Sequence, residues 1–309
     1  MTFYGGEQQR MYAARGQSVH MHYSLPAAPL RPFVTAFYCA DVTCSPRDAW
    51  LEDYLQPEWV NLRFLLNTVA QSAIGAGELQ RCSDFSVTGP TSRASRFRLR
   101  SGRVWGIGLL PEGWAALLPA QAGDYADRLV DGLADPVFAG FVPLARALAA
   151  NDGGFAQELE LIETHVGELF AHAPPVDPAI AALTAALADP ERVAVAELAE
   201  QLGMTTRSLE RLSRRAFGFT PKLLLRRQRF LRSLARFMLD PSLKWLGALD
   251  DFYYDQSHFV RDFRCFMGMS PSAYAKLDKP LLIAAARARM AVAGEAMQAL
   301  HRPVGSGTL

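Results

Sequence analysis

The pattern of apolar and polar positions divides the chain into a first part that predicts strands and a second part that predicts helices. Between residues 20 and 110, short runs of β-branched and aromatic residues are separated by clusters of Gly, Pro, Ser and Asp. Runs of this kind are typical of short strands. From Pro111 onward the apolar residues recur at three- and four-residue steps, which predicts helices. The predicted strands are 33–39, 59–66, 85–89, 96–100 and 103–110.

One predicted helix, at 155–172, carries a single apolar stripe. The stripe consists of Leu159, Ile162, Val166 and Leu169. We consider two roles for it: contact with a second copy of the chain, or packing on the N-terminal sheet. The stretch that follows, APPVDP (173–178), cannot continue a helix because of its prolines. We therefore expect a linker between two domains at 173–180.

Residues 196–221, AELAEQLGMTTRSLERLSRRAFGFTP, predict two helices joined by a sharp turn. Gly203 supplies the backbone conformation that such a turn requires, and Thr205 is a suitable N-cap for the second helix. Ala199, then Gly203 four residues later, then Leu209 six residues beyond it, have the spacing of a helix-turn-helix. The second helix is expected to turn these residues outward: Thr206, Arg207, Glu210, Arg211 and Arg214.

The charge of the chain is distributed unevenly, although the net charge is only +1. Residues 1–190 hold 13 Arg and 20 acidic residues, whereas residues 191–309 hold 19 Lys plus Arg and 11 acidic residues. Ten of these cations lie between 205 and 236, where Glu210 is the only acid. A basic segment favours a polyanionic partner. A helix with outward arginines suits the DNA major groove, where Arg donates to guanine O6 and N7.

A second copy of the pattern lies fifty residues further along the chain. RLSRRAFGFTP (211–221) aligns with RDFRCFMGMSP (261–271), and 221–239 between them predicts one long helix. Upstream of the second copy, 245–259 predicts a helix that ends near Asp251 and another that begins near Asp255. Two such units would read adjacent major grooves on one face of DNA, about 34 Å apart.

At these residues the sequence resembles the AraC/XylS family of transcription regulators. The resemblance covers about 190–276, because both half-motifs and their separation match, and it is particularly close over 253–274. It implies binding to double-stranded operator DNA and, residue by residue, base-reading positions in both units. These positions are Arg207, Glu210 and Arg211 in the first unit, and Gln256, Ser257 and Arg261 in the second. Gln suits adenine, Arg suits guanine and Glu accepts from cytosine N4. Thr206 is expected to be a further DNA contact. Arg214, like Arg215, suits a phosphate contact or packing.

The second unit departs from the family pattern at its turn. The family usually has Gly there, and this chain has Phe252, preceded by Asp250 and Asp251. Residues 242–276 also hold four basic and four acidic residues, so this segment has no excess of positive charge. We expect the first unit to supply most of the salt-dependent affinity and the second to add base discrimination.

The resemblance also implies an α+β chain of two domains. Residues 1–172 would form a β-rich domain, a cupin-like barrel or sandwich with following helices, that senses a small-molecule effector, forms a homodimer, or both. Residues 181–278 would form the all-α DNA-binding domain with two helix-turn-helix units. Residues 279–309 predict a helical tail that packs back on the protein or pairs with another chain. RNA polymerase is a further expected partner if the protein activates transcription.

An alternative function is a cupin-like metal-dependent enzyme with an accessory DNA-binding domain. Its basis is the pair His20 and His22, but no carboxylate lies between His22 and Asp41 and the next His is His165. Two ligands do not make a metal site. We therefore predict no catalytic residue, no metal site and no cofactor.

The remaining candidate residues of the first domain are thiols and aromatic rings. Cys39 and Cys44 are expected to be small, buried, reduced thiols. The aromatic residues are expected to be core, with the lining of an effector pocket as the alternative: Trp59, Phe64, Trp105 and Trp114.

No segment reaches the roughly 18 uninterrupted apolar residues of a membrane span, and the N-terminus has no signal-peptide pattern. A cytoplasmic protein without membrane association is expected.

Overall fold

A computed structural model of the protein describes residues 10–14, 16–189, 194–239, 249, 253 and 255–301. The strands are β1 Arg10–Ala14, β2 Gln17–Ser24, β3 Val34–Cys44, β4 Leu51–Leu55, β5 Val60–Leu66, β6 Ala70–Ile74, β7 Gln80–Arg81, β8 Phe85–Thr88, β9 Ser95–Leu99, β10 Gly102–Leu109 and β11 Leu129–Asp131. The helices are α1 Pro111–Leu117, α2 Val142–Ala150, α3 Phe155–Ala171, α4 Pro178–Ala188, α5 Val195–Gln201, α6 Thr206–Phe217, α7 Pro221–Leu239, α8 Gln256–Met267, α9 Pro271–Ala275 and α10 Pro280–Ala293. The five predicted strands are all present, and the first extends further, to Cys44.

The strands form two antiparallel sheets that pack face to face. The large sheet has the order β1-β2-β3-β10-β5-β8-β11 and the small sheet the order β4-β9-β6-β7. Their facing sides share one apolar core, to which Met21 and Ala40 contribute from the large sheet and Phe97 and Leu99 from the small one. The N-terminal part is therefore a sandwich, one of the two predicted architectures.

Helices α1 to α3 cover the other side of the large sheet. Successive residues of a strand point to opposite faces, so Phe37, Phe64 and Trp105 are buried against these helices. Trp114 of α1 belongs to the same core. These rings, three of them among the four aromatic residues singled out from the sequence, belong to the core.

The apolar stripe of α3 is part of this core as well. Leu159, Ile162 and Val166 are buried, and Leu169 packs against them half-buried. Because the stripe already packs on the sheet, this face is not free for a second copy of the chain. The predicted dimer contact through the stripe is wrong, and its alternative, packing on the N-terminal sheet, is confirmed.

The helices from α4 to α9 build a second core. Leu209 of α6, Phe230 of α7 and Phe263 of α8 are completely buried in it. The Phe230 ring stacks on Phe266 with centroids 5.0 Å apart and meets Phe263 edge-on at 5.4 Å. The long helix α7 has the predicted bounds, 221–239, and it packs against α4, α6 and α8.

The two parts of the molecule are packed together. Trp59 and Ala94 of the sandwich belong to the same apolar core as the C-terminal helices. Arg227 of α7 is fully buried, with its guanidinium 3.8 Å from the centre of the Trp59 ring, and it donates to the Thr91 carbonyl at 3.0 Å. The Ala94 amide donates to the Phe266 carbonyl at 2.6 Å. Backbone and side chains of the sandwich therefore hold α7 and α8 directly.

The segments that flank the helical part are also ordered. Helix α4 begins at Pro178, where Asp177 accepts from the Ala179 amide at 3.0 Å, so the stretch between α3 and α4 is 172–177. Helix α10 packs against β1, β2 and β4. The tail was predicted either to pack back on the protein or to pair with another chain. Helix α10 packs back on the protein. The domain limits 1–172, 173–180, 181–278 and 279–309 stay predictions.

Part of the second predicted unit lies outside the described residues. This applies to the helix expected to end near Asp251 and to the turn at Phe252 with Asp250 and Asp251. Among the helices that are described, none has the length and apolar character needed to cross a bilayer.

Candidate nucleic-acid interface

The first unit consists of α5, a tight turn and α6. Gly203 has φ +62°, a left-handed conformation that side chains disfavour, and the Met204 amide donates to the Ala199 carbonyl at 2.9 Å to close the turn. The Thr205 hydroxyl accepts from the Ser208 amide at 3.2 Å and so caps α6. The predicted turn glycine and the predicted N-cap are both present.

Helix α6 is strongly amphipathic. Leu209, Leu212 and Phe217 are buried in the C-terminal core. The helix ends where Gly218 takes a left-handed conformation (φ +84°) and donates to the Arg214 carbonyl at 3.2 Å. The opposite face is exposed and contains all five residues predicted for this unit, namely Thr206, Arg207, Glu210, Arg211 and Arg214.

Helix α8 repeats the construction of α6. It also has 12 residues, and the Asp255 carboxylate caps it by accepting from the His258 amide at 2.6 Å. It ends at Gly268, which has φ +71° and donates to the Arg264 carbonyl at 3.0 Å. Phe259 and Phe263 are buried. The exposed face contains the three residues predicted for this unit, Gln256, Ser257 and Arg261.

The helix α7 joins the two units along the chain. Its 19 residues, at 1.5 Å per residue, span about 28 Å. Adjacent major grooves on one face of B-DNA are about 34 Å apart. We call α6 and α8 the first and second recognition helices.

The segment 198–277 matches the family described as "Helix-turn-helix domain". Residues 198–277 form an AraC-type helix-turn-helix domain. The resemblance to the AraC/XylS regulators is thereby confirmed for this domain. No curated protein matches the chain.

Solved structures are similar to the chain over most of its length. ToxT from Vibrio cholerae is 10% identical, with a TM-score of 0.42, over 84% of this chain and 98% of that one. ToxT from the same species bound to an unsaturated fatty acid is 11% identical, with a TM-score of 0.38, over 74% and 95%. The AraC-like transcriptional activator CuxR is 11% identical, with a TM-score of 0.30, over 72% and 82%.

A buried carboxylate fastens the second recognition helix of the helix-turn-helix domain to α7. Asp262 is 1% exposed and accepts from Arg226 at 2.6 Å, from Arg229 at 3.3 Å and from the Tyr253 hydroxyl at 3.1 Å. His258 lies beside it, with its Nε2 3.2 Å from Arg229 Nη2. The hydrogen bond to Asp262 raises the pKa of Arg226 above its ordinary value. His258 is therefore part of the polar cluster around Asp262.

Sequence reasoning missed this cluster, although a signal was present. Asp262 falls in register with Phe259, Phe263 and Phe266, on the buried side of α8. An Asp within an apolar stripe of an amphipathic helix needs a cationic partner, because a buried charge without one is costly. Two arginines of α7, Arg226 and Arg229, are those partners.

The structure also corrects the charge count of the helix-turn-helix domain. Several of the ten cations between 205 and 236 pair with other groups of the protein, some at the surface and some buried. Arg215 pairs with Asp177 at 3.0 Å, and Arg236 donates to the Leu249 carbonyl at 2.8 Å. Burial lowers the pKa of Arg227 to about 9, and Arg226 and Arg229 neutralise Asp262. The arginines of α6 that are exposed and have no ion pair among the described residues are Arg207, Arg211 and Arg214.

The candidates in the N-terminal domain do not assemble into a site. His22 packs on the Phe155 ring, with centroids 4.6 Å apart. In the parts of the chain that the structure describes, no three His, Cys, Asp or Glu side chains are grouped so that they could hold a metal ion. Cys39 and Cys44 are buried free thiols, and burial raises the pKa of both.

Proposed function

We propose that the protein is a sequence-specific transcription regulator that reads adjacent major grooves of operator DNA with α6 and α8. The observation that carries this proposal is the duplicated construction within the helix-turn-helix domain. Both recognition helices have 12 residues, a side-chain N-cap and a left-handed glycine at the end, and a 19-residue helix joins the two units. Each presents a polar, exposed face.

We assign base contacts by the chemistry of the exposed side chains. Arg207, Arg211 and Arg261 would donate to guanine, Glu210 would accept from cytosine N4, and Gln256 would pair with adenine. Ser257 suits any of these bases. Thr206, at the beginning of α6, and Arg214, near its end, are assigned to the DNA backbone, where contacts fix the register of a recognition helix.

The N-terminal sandwich would control DNA binding, and we propose no catalytic activity for it. Two features support control. A cavity lies between the two sheets, and residues of the sandwich take part in the core of the helix-turn-helix domain. A molecule that changes the sandwich would thus act on α7 and α8 through Trp59 and Ala94. We further propose that the protein binds a small-molecule effector and forms a homodimer. If it activates transcription, it would also contact RNA polymerase.

The test is to capture genomic fragments with the purified full chain and to sequence them. We expect a shared sequence with two half-sites about one helical turn apart. The variant Arg211→Ala/Arg261→Ala should lose the enrichment. Arg47→Ala/Arg96→Ala, which removes two exposed charges from the sandwich, should retain it. Fragments without a common sequence, or equal loss in both variants, would contradict sequence-specific reading.

A further inference from the structure

One face of helix α7 carries a row of positive charges. Lys222, Arg226, Arg229 and Arg232 follow one another at four- and three-residue steps, which places them on the same side of the helix. All four are exposed or half-buried, whereas the positions between Arg226 and Arg229 and between Arg229 and Arg232 are buried. The row begins four residues after Gly218, where the first recognition helix ends.

The four cations line a cleft of about 260 Å³ beside α7. Val195, the first residue of α5, and Leu225 of α7 contribute apolar surface to it. His258 of α8 completes the lining, so the cleft joins elements of both units. Among the described residues, no acidic side chain lines it. We call it the basic cleft.

The adjoining carboxylate compensates only part of this charge. Asp262 pairs with both Arg226 and Arg229, but it is 1% exposed and does not line the basic cleft. Two guanidinium groups that share one carboxylate keep a net positive charge. The side chain of Lys222, which is exposed, has no ion pair or hydrogen bond among the described residues. The basic cleft therefore favours an anion.

Three side chains of the basic cleft have N–H groups left for such an anion. Nη2 of Arg226 donates to Asp262 at 2.6 Å, yet the side chain is 37% exposed, so further N–H groups of this guanidinium remain at the surface. His258 accepts from Arg229 at Nε2, over 3.2 Å, so Nδ1 of the neutral ring carries the proton. Lys222 adds an ammonium group with three donors.

The basic cleft lies beside the end of α8 that is expected to enter DNA. His258 is the third residue of this helix and directly follows Gln256 and Ser257, which we assign to bases. The N-terminal residues of a recognition helix are those that contact base edges. A phosphate of the strand that borders this groove would therefore lie next to the basic cleft.

We propose that the basic cleft binds a phosphate group, held by Lys222, Arg226 and His258. Phosphate oxygens accept both from the point charge of a Lys and from the planar fork of an Arg. A cavity of about 150 Å³ accommodates benzene, so the 260 Å³ of this cleft leave room for two linked phosphate groups. The DNA backbone and a small phosphorylated molecule offer the same group.

The assignment deepens the proposed function, on which its meaning for DNA binding rests. A backbone phosphate in the basic cleft would fix the register of α8 on the operator without contacting a base. A small phosphorylated molecule would occupy the place of that phosphate. It would thus compete with DNA for the helix-turn-helix domain.

The first measurement is calorimetric titration of the full chain with diphosphate at low salt. Diphosphate should bind saturably at one site per chain, and acetate, which has a single charge, should bind at least about 10-fold more weakly. Lys222→Gln removes one exposed charge and should weaken diphosphate binding about 3- to 10-fold, whereas Lys222→Arg should retain it. Lys276→Gln, which removes an exposed charge elsewhere in the same domain, is the matched control and should bind like the wild type.

The second measurement addresses the DNA backbone. Filter binding at several salt concentrations gives the slope of log affinity against log salt for each variant. Lys222→Gln should lower this slope by about 0.9, the value for one phosphate, and should leave the preferred sequence unchanged. Lys276→Gln should change neither the slope nor the sequence.

The two measurements distinguish the sources of the phosphate. Diphosphate binding that Lys222→Gln weakens supports a free phosphorylated molecule, and a lowered slope supports the DNA backbone. The proposal is overturned if Lys222→Gln has neither effect, if Lys276→Gln has the same effects, or if acetate binds as tightly as diphosphate. Diphosphate that binds without displacing DNA would overturn the competition alone.

The slope is measurable on DNA of any sequence, which separates this proposal from the proposed function. If the protein prefers no DNA sequence, the proposed function fails, while the titration and the slope still decide whether the basic cleft binds phosphate.

Discussion

The carboxylate of Asp262 lies beneath the second recognition helix, where Arg226 and Arg229 donate to its two oxygens. In the sequence this Asp counts against DNA binding, because it places a negative charge on the helix that should approach phosphates. In the structure its charge is buried and compensated, so it does not oppose DNA. Asp255, the other acid of this segment among the described residues, is used as a cap. The exposed face of α8 is therefore more positive than the sequence count indicates.

The residue expected to contribute most to base recognition is Arg211, in the middle of the exposed face of α6. Arg211→Ala should weaken operator binding by about 1–3 kcal/mol and relax the preference at one base position. Arg215→Ala is the control on the same helix, because Arg215 pairs with Asp177 and should change binding little. Gel-shift titrations on the captured operator and on random DNA measure both effects. An equal loss on the two DNAs would make Arg211 a phosphate contact.

At the scale of elements, the attachment of helix α10 to the sandwich depends on one buried cap. The cap is the Asp53 carboxylate of β4, which accepts from the Leu281 and Leu282 amides. Asp53→Ala leaves the Leu281 and Leu282 amides without their acceptor, and we expect a loss of about 0.5–2 kcal/mol in the free energy of unfolding. Asp53→Asn keeps an acceptor oxygen and should cost less. Glu52→Gln, at the exposed neighbouring position, is the control, and urea unfolding provides the measurement.

The same cap has a pH dependence whose sign is fixed. Burial raises the pKa of Asp53 from 3.8 to about 7, so between about pH 4 and 7 the folded protein binds a proton that the unfolded chain has released. The contribution of Asp53 to the free energy of unfolding is therefore fully present at low pH and is lost as the pH rises through this window. Relative to the wild type, Asp53→Asn should therefore become more stable from pH 5 to pH 8. A stability difference that does not change with pH would contradict the shifted pKa.

Regular patterns made much of the fold predictable from the sequence, while contacts between distant segments were not predictable. Strands β3, β5, β8, β9 and β10, the helix at 221–239 and both N-caps followed from local periodicity and capping chemistry. The same periodicity placed the five DNA-contact residues of α6 on an exposed face, whereas the three of α8 came from the family resemblance; the roles of all eight stay predictions. Which element buries the Leu159 to Leu169 stripe depends on tertiary packing, as does the place of helix α10. Asp53 gave a weak signal, because in LEDYL it alternates with Leu51 and Leu55 on the buried side of a strand.

At the scale of the whole molecule, the two recognition helices are expected to contribute unequally to DNA binding. Replacing Arg207, Arg211 and Arg214 together by Ala should lower the slope of log affinity against log salt by up to about 3, at ~0.9 for each phosphate that the protein no longer neutralises. The decrease is smaller to the extent that Arg207 and Arg211 contact bases. Replacing Arg261 and Arg264 should change the slope less but alter the preferred sequence.

Filter binding from low to moderate salt, with selection from random DNA for each variant, tests this inequality. The neutralisation of Asp262 raises the share expected of the second unit above what the charge count alone predicts. Equal changes in slope for the two variants would mean that both units hold the DNA phosphates alike.

The position of helix α10 also has a consequence for biosynthesis. Every strand of the sandwich leaves the ribosome before the helix-turn-helix domain, yet the helix that completes its cavity, Pro280–Ala293, follows that domain. Domains generally fold in the order of their synthesis, but this sandwich would emerge with its inner face open and Asp53 without the amides it caps. The nascent chain must therefore carry an unfinished sandwich until the DNA-binding helices have been made. Of the two domains, the sandwich is translated before the helix-turn-helix domain but is completed after it.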